Sequence, residues 1–214
     1  VASAAQLYTP WGNQPIGDSF CDRVLGATVS PPPPANDNLP KVVALAGVAG
    51  SGKSTAAQYL VDMHGYTRLR FAGPLKAAMA ALGFSPHDID GVAKEAPHAL
   101  LCGKTPRHAM QTLGTEWGRN CIGADFWIGL WQRAANDVLE NRGRVVVDDC
   151  RFPNEAAVVR KMGGEIFRIV GRGGIAGDHA SERQEFVADV VLENDGDLVT
   201  LFAGVENALT RWTK

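Results

Sequence analysis

The stretch from Lys41 to Thr55, KVVALAGVAGSGKST, limits what this chain can fold into more than any other. Its apolar run, Val42 to Ala46, has the composition of a buried strand. A glycine-rich turn of Gly47, Ala49, Gly50, Ser51 and Gly52 follows, and Lys53, Ser54 and Thr55 then open a helix. The spacing fits G-x-x-x-x-G-K-[ST] completely, in the strand–turn–helix setting that this motif requires. Glycines let backbone N–H groups wrap a phosphate chain without Cβ clashes. The helix N-terminus adds partial positive charge. In that chemistry Lys53 reaches the β- and γ-phosphates of a nucleoside triphosphate, and the Ser54 hydroxyl ligates Mg²⁺.

The remaining chain supports one α/β domain of ordinary core content. It has 214 residues, 45% of them hydrophobic. Its net charge of −2, from 21 basic and 23 acidic residues, argues against a nucleic-acid partner, which needs a basic face. No apolar run approaches the roughly 18 residues of a membrane span, so no membrane partner is expected. The N-terminus has no basic segment followed by an apolar one, so it does not read as a signal peptide. Cys21, Cys102, Cys121 and Cys150 lack C-x-x-C spacing and read as reduced, buried thiols of a cytoplasmic protein.

Residues 1–40 form an arm of different texture. Pro10, Pro15 and Pro31 to Pro34 break regular structure, and the proline run makes a stiff spacer. Leu7, Tyr8, Trp11, Ile16, Phe20, Val24 and Leu25 are too many apolar anchors for a solvated tail. The arm is expected to pack on its own domain or on a neighbouring subunit, which makes a homodimer one expected state.

The glycine-loop helix should run to about His64, with Ala56, Leu60 and Met63 as its core stripe and Gly65 as its stop. Tyr66 to Phe71 reads as a second strand, and Pro74 starts an alanine-rich helix reaching about Leu82. Residues 83–106 are irregular. Their His87, Asp88, Asp90, Lys94, Glu95 and His98 are spaced poorly for a metal and read as solvated loop residues. Two helices follow, from about Thr105 to Asn120 and from about Ala124 to Asn141. Met110, Leu113 and Trp117 share one side of the first; Trp127, Trp131, Ala134 and Val138 form the stripe of the second. These tryptophans read first as core, and Trp117 and Trp127 are also candidates to stack on a base.

Val145 to Val147 is an apolar strand that ends in Asp148 and Asp149. Ends of parallel strands face the ligand crevice of an open α/β sheet, where a carboxylate opposite the glycine loop holds the Mg²⁺ shell. Glu165 to Val170 and Asp189 to Leu192 read as further strands. Gly171 to Gly177 reads as a lid, and Leu198, Leu201, Phe202, Val205 and Leu209 as the core face of a last helix. Strand and helix alternate about five times. That pattern predicts a three-layer α/β/α P-loop fold around a mostly parallel five-stranded sheet.

Several segments together resemble the phage-type deoxynucleoside monophosphate kinases, a branch of the P-loop nucleoside monophosphate kinases. They are GVAGSGKST, FAGPLK at 71–76, RHAMQTLGTE at 107–116, DFWI at 125–128, DDCRFPNEA around Asp149, DHASE at 178–182 and ENDGDLVTLF at 193–202. The resemblance covers roughly residues 41–212. It implies a kinase domain over 41–214, with a substrate-binding flap at about 73–125 and a lid at about 171–182. It also implies that ATP is the donor, Mg²⁺ the metal and a deoxynucleoside 5′-monophosphate the acceptor, acting in the cytoplasm (the host's, if the chain is phage-encoded).

On this resemblance the monophosphate lies under FAGPLK and the 107–116 helix, against Gly73, Lys76 and Gln111. Arginine holds its phosphate, since a guanidinium presents a bidentate fork to a dianion. Arg70, Arg107 and Arg151 are the candidates, with Arg107 and Arg151 first because they lie in matched motifs. Asp149 fits the family's D-x-R pattern as the metal acid, with Asp148 in reserve. Arg172 either closes the lid on the transferring group or is a solvated loop arginine. His179 and Glu182 take a substrate-side role, or merely begin a helix that Ser181 caps. The chain lacks the long insertion that some members carry between FAGPLK and RHAMQTLGTE, which leaves base specificity unassigned. The competing readings are another small-molecule P-loop kinase, such as dephospho-coenzyme A kinase, and a non-catalytic nucleotide-binding switch.

Overall fold

A computed structural model describes residues 38–171 and 186–212 of the chain. Five strands form one sheet: β1 Val42–Ala46, β2 Tyr66–Arg68, β3 Arg144–Val147, β4 Glu165–Gly171 and β5 Val190–Asn194. Their order is β2-β3-β1-β4-β5, and every pairing is parallel. Parallel strands covered on both faces need no alternation, and β1 is accordingly VVALA with all five residues buried.

Side chains nevertheless alternate between two cores. Val42, Ala44 and Ala46 pack with Trp131, Ala134, Ala135 and Val138 of α5 (Phe126–Glu140) and with Ala156 and Val159 of α6 (Pro153–Lys161). Val43 and Leu45 pack with Ala56, Ala57 and Leu60 of α1 (Lys53–His64) and with Leu201, Val205 and Leu209 of α7 (Leu198–Thr210). The helix after β1 therefore lies on one face and the helix after β3 on the other. Adjacent strands whose connections leave to opposite faces open a crevice at their C-terminal ends. This places the glycine loop beside Asp148.

Between β2 and α5 the chain builds a smaller body with its own apolar centre. It contains α2 (Gly73–Ala81), α3 (Pro86–Ile89) and α4 (Pro106–Gln111). Met79, Phe84 and Ile89 are buried there, with Leu101, Met110 and Leu113 packed against them. Helix α4 continues into a π-helical segment, Thr112–Ile122. Such segments are rare and recur at functional sites.

The fold departs from the sequence expectations at several places. Strand β2 ends at Arg68 instead of Phe71, because the Asp149 carboxylate, not a neighbouring strand, accepts from the Phe71 and Ala72 amides. Met63 is exposed; the buried face of α1 is centred on Ala56, Ala57 and Leu60. Trp117 is also exposed, because the wider π pitch carries it off the line of Met110 and Leu113. Leu198, at the open first turn of α7, faces solvent as well. Cys150 is buried, but Cys102 and Cys121 are exposed free thiols. Cys21, the arm's anchors and prolines, and the lid segment up to Glu182 lie outside the described residues. Among the described residues no helix is long and apolar enough to cross a membrane.

Candidate active site

The glycine loop leaves β1 and folds over the N-terminus of α1. Gly50 and Gly52 have φ of 78° and 106°, a region closed to most side chains. Gly52 is also hemmed in: a Cβ there would lie 2.6 Å from Asn194 Nδ2 and 3.3 Å from Leu201 Cδ2. Asn194, buried at the end of β5, donates that amide to Ser51 O at 2.8 Å and so holds the loop from behind. Lys53 Nζ donates to Gly47 O at 2.8 Å and to Val48 O at 2.7 Å. Ala49, Gly50, Ser54 and Thr55 are exposed, leaving the loop's outer surface open.

Beside the loop, Ser54 Oγ donates to Asp148 Oδ2 at 3.0 Å. Asp148 is buried at the end of β3 and gathers two arginines from the end of β2. Arg70 Nε donates to Oδ1 at 3.0 Å, and an Arg68 terminal nitrogen donates to Oδ2. Burial alone would raise the Asp148 pKa. The Arg68 hydrogen bond and the charges of both arginines outweigh it and hold the group down at about 2. A hydroxyl and an ionised carboxylate side by side are hard oxygen donors of the kind Mg²⁺ takes.

Asp149 does something else. Its two oxygens accept from the amides of Phe71 and Ala72, each at 2.9 Å, which ties FAGPLK to the end of β3. Burial raises its pKa, and the Ala72 amide opposes the rise. The structure thus brings Asp148 to Ser54, where the family pattern led us to expect Asp149.

The acceptor-side candidates spread over the smaller body and the β3–α6 turn. Gly73 opens α2, and Lys76 pairs with Asp90. Arg107 donates to Glu95 at 2.5 Å on an exposed face of α4, where Gln111 is exposed too. Arg151 sits half-buried in the turn, its amide donating to Glu155 Oε2 at 2.8 Å. Trp127 belongs to the core and not to an open stacking face. It is 6% exposed, its indole N–H donates to Gly114 O at 2.8 Å, and its ring meets Phe126 and Gly118. Arg172, His179 and Glu182 lie outside the described residues.

Four residues of this neighbourhood escaped sequence reasoning: Arg68, Arg119, Glu155 and Asn194. Only Glu155 had a local signal, as the third helical residue after Phe152, where a capping acid belongs.

Comparison with known proteins gives the chain's family. The deoxynucleotide monophosphate kinase family model matches residues 104–205. A protein of Acanthamoeba polyphaga mimivirus, provisionally named a deoxynucleotide monophosphate kinase, is 34% identical over 77% of this chain and 93% of its own length. The deoxynucleotide monophosphate kinase of Enterobacteria phage T4 is 25% identical over 79% of this chain and 98% of its own. Among solved structures, a shikimate kinase of Bacteroides thetaiotaomicron spans 81% of this chain and 98% of its own. It does so at 13% identity and a TM-score of 0.41, a likeness too slight to bear on function. With a mimivirus relative matched along nearly its whole length, this chain belongs to the deoxynucleotide monophosphate kinase family.

Proposed function

We propose that this chain transfers the γ-phosphoryl group of ATP to a deoxynucleoside 5′-monophosphate, giving ADP and the deoxynucleoside diphosphate. The observation that carries the reading is the contact of Ser54 with Asp148 under the glycine loop, with Arg70 on the same carboxylate. In a family member, that contact supports a metal-bound triphosphate and an acceptor phosphate meeting beside Asp148.

In this reading the amides of residues 47–55 cradle the triphosphate. Lys53 leaves the carbonyls of Gly47 and Val48 for the phosphates when nucleotide binds. Ser54 and Asp148 would hold Mg²⁺, which neutralises charge on the β- and γ-oxygens when bound. Arg70 and Arg151 take the acceptor phosphate. Asp149 holds the FAGPLK turn, including Gly73, at a fixed height beneath it. Phosphoryl transfer asks a protein for position and charge and for little covalent chemistry, and these residues supply position and charge. Arg172, His179 and Glu182 are proposed to close over the acceptor, and Arg107, Lys76 and Gln111 to line its outer side. Residues 1–40 are proposed as an arm separate from this machinery.

Incubation of the protein with Mg·ATP and each deoxynucleoside monophosphate, with ADP release coupled to a visible readout, tests the proposal. Acceptor-dependent ADP release supports it. ATP turnover indifferent to every nucleotide acceptor contradicts it.

A further inference from the structure

Glu155 is the third residue of α6 and accepts from the Phe152 amide at 3.1 Å, as a capping glutamate does. Capping acids normally sit in solvent. This one is 2% exposed. Its Oε2 also accepts from the Arg151 amide, at 2.8 Å, and its Oε1 receives Arg119 Nη2 at 2.6 Å. Arg119 comes from the π-helical segment, which continues the helix that carries Arg107. Its guanidinium lies 3.9 Å from the centre of the Phe152 ring. Asn154 extends the same seam, donating to Asp125 Oδ1 at 2.8 Å. Capping one helix does not require a buried carboxylate paired with a half-buried arginine, and burying such a charge is costly unless its geometry is fixed. What this one carboxylate joins is the backbone at Arg151 and the far wall of the smaller body.

We infer that Arg119 and Glu155 act as positioning residues, clamping the π-helical segment to the β3–α6 turn so that Arg151 is aimed at the acceptor phosphate. The inference rests on the acceptor-site reading given above. The pair does not touch the glycine loop. Its influence should therefore fall on acceptor binding and spare the triphosphate. Gly114 and Gly118 of the π-helical segment lie where a Cβ would meet Leu75 and Trp127, so the segment packs closely there on the same stretch that carries Arg119. Burial also pushes the Glu155 carboxyl up to about 7, against the Arg151 amide and the Arg119 charge.

The test is calorimetric titration of deoxynucleoside monophosphates, and separately of a non-hydrolysable Mg·ATP analogue, into wild type, Glu155→Gln, Arg119→Met, Arg119→Lys and the Glu155→Gln/Arg119→Met double variant. Glutamine keeps an oxygen for the two turn amides and turns an NH₂ against Arg119, so it breaks the clamp and leaves the helix capped. Glu155→Gln alone decides the matter if Arg119→Met does not fold. The expected result is an acceptor Kd raised roughly ten-fold in each single variant, with the double variant no weaker, because one unit is being broken twice. The analogue's Kd should stay within about two-fold of wild type if the effect is confined to the acceptor side. Lysine at 119 should recover little, since a point charge cannot pair with Glu155 and cover Phe152 together. An unchanged acceptor Kd in Glu155→Gln, or equal weakening of both ligands, overturns the inference. If wild type itself binds no monophosphate, the acceptor reading fails, and the clamp with it.

Discussion

Exchanging Asp148 for asparagine should separate the carboxylate proposed for the metal from the one that holds the turn. Asp148 receives Ser54 and two arginines, all at or beside the glycine loop. Asparagine keeps the shape and one acceptor oxygen but removes the charge that offsets Arg68 and Arg70. A hydrogen bond to a charged group is worth ~1.5–3 kcal/mol. The two guanidiniums retain 22% and 32% exposure, so screening lowers their share. Taking about 2 kcal/mol for the pair lowers Tm by roughly 4–8 °C in a domain of this size. The catalytic effect should be larger: loss of one group that stabilises developing charge costs roughly 10²–10³ in kcat. Half-maximal activity should also demand more Mg²⁺. Asp149→Asn provides the contrast. It disturbs the Phe71 and Ala72 amides, so it should lower Tm and raise acceptor KM while leaving the Mg²⁺ dependence unchanged. Steady-state kinetics over a grid of Mg²⁺ and acceptor concentrations, with thermal melts alongside, would read both. If the Mg²⁺ dependence moves in Asp149→Asn and not in Asp148→Asn, the division of roles argued from the Ser54 contact is refuted.

Other substitutions probe other parts of the site. Lys53→Ala should abolish turnover and leave Tm within a few degrees, because Lys53 is bonded to the loop rather than packed in either core and is proposed to serve the phosphates; near wild-type kcat would exclude that role. Gly52→Ala should weaken nucleotide binding sharply, since its Cβ would strike Asn194 and φ is 106°; calorimetry with unchanged Kd would contradict this. The Glu155 carboxyl sits at about 7 when folded, against an ordinary 4.5, so the folded state binds its proton more readily than the unfolded chain. Its contribution to stability is therefore complete below about 4.5 and is lost as pH rises through about 7, a change on the order of 3 kcal/mol at most. Denaturant titrations should accordingly show wild type losing stability relative to Glu155→Gln between those values, and parallel curves would disprove it.

The sheet was legible because parallel strands buried on both faces are short apolar runs, as VVALA and VVV are, and because the glycine loop marks the first of them. The two-sided core followed from strand–helix alternation. Less legible was which of two adjacent acids meets Ser54. Successive residues point to opposite sides of a strand, and the motif alone does not say which side faces the loop. The reach of Arg68 was hidden in the same way, since its partner lies eighty positions along the chain. Trp127 misled because an aromatic on a helix near a crevice suits stacking as well as packing; its contact with Gly118 decides for packing. Arg119 carried no sequence signal at all, because its partner Glu155 lies 36 positions along the chain and nothing local marks the π-helical segment that carries it.

Following the phosphorus itself tests the proposed phosphoryl transfer. Protein, Mg²⁺ and γ-labelled ATP are mixed with one deoxynucleoside monophosphate at a time, and the products are separated. Label is expected on the β-position of a deoxynucleoside diphosphate, in proportion to ADP formed and absent in Lys53→Ala. Label appearing only as inorganic phosphate with every acceptor would contradict it.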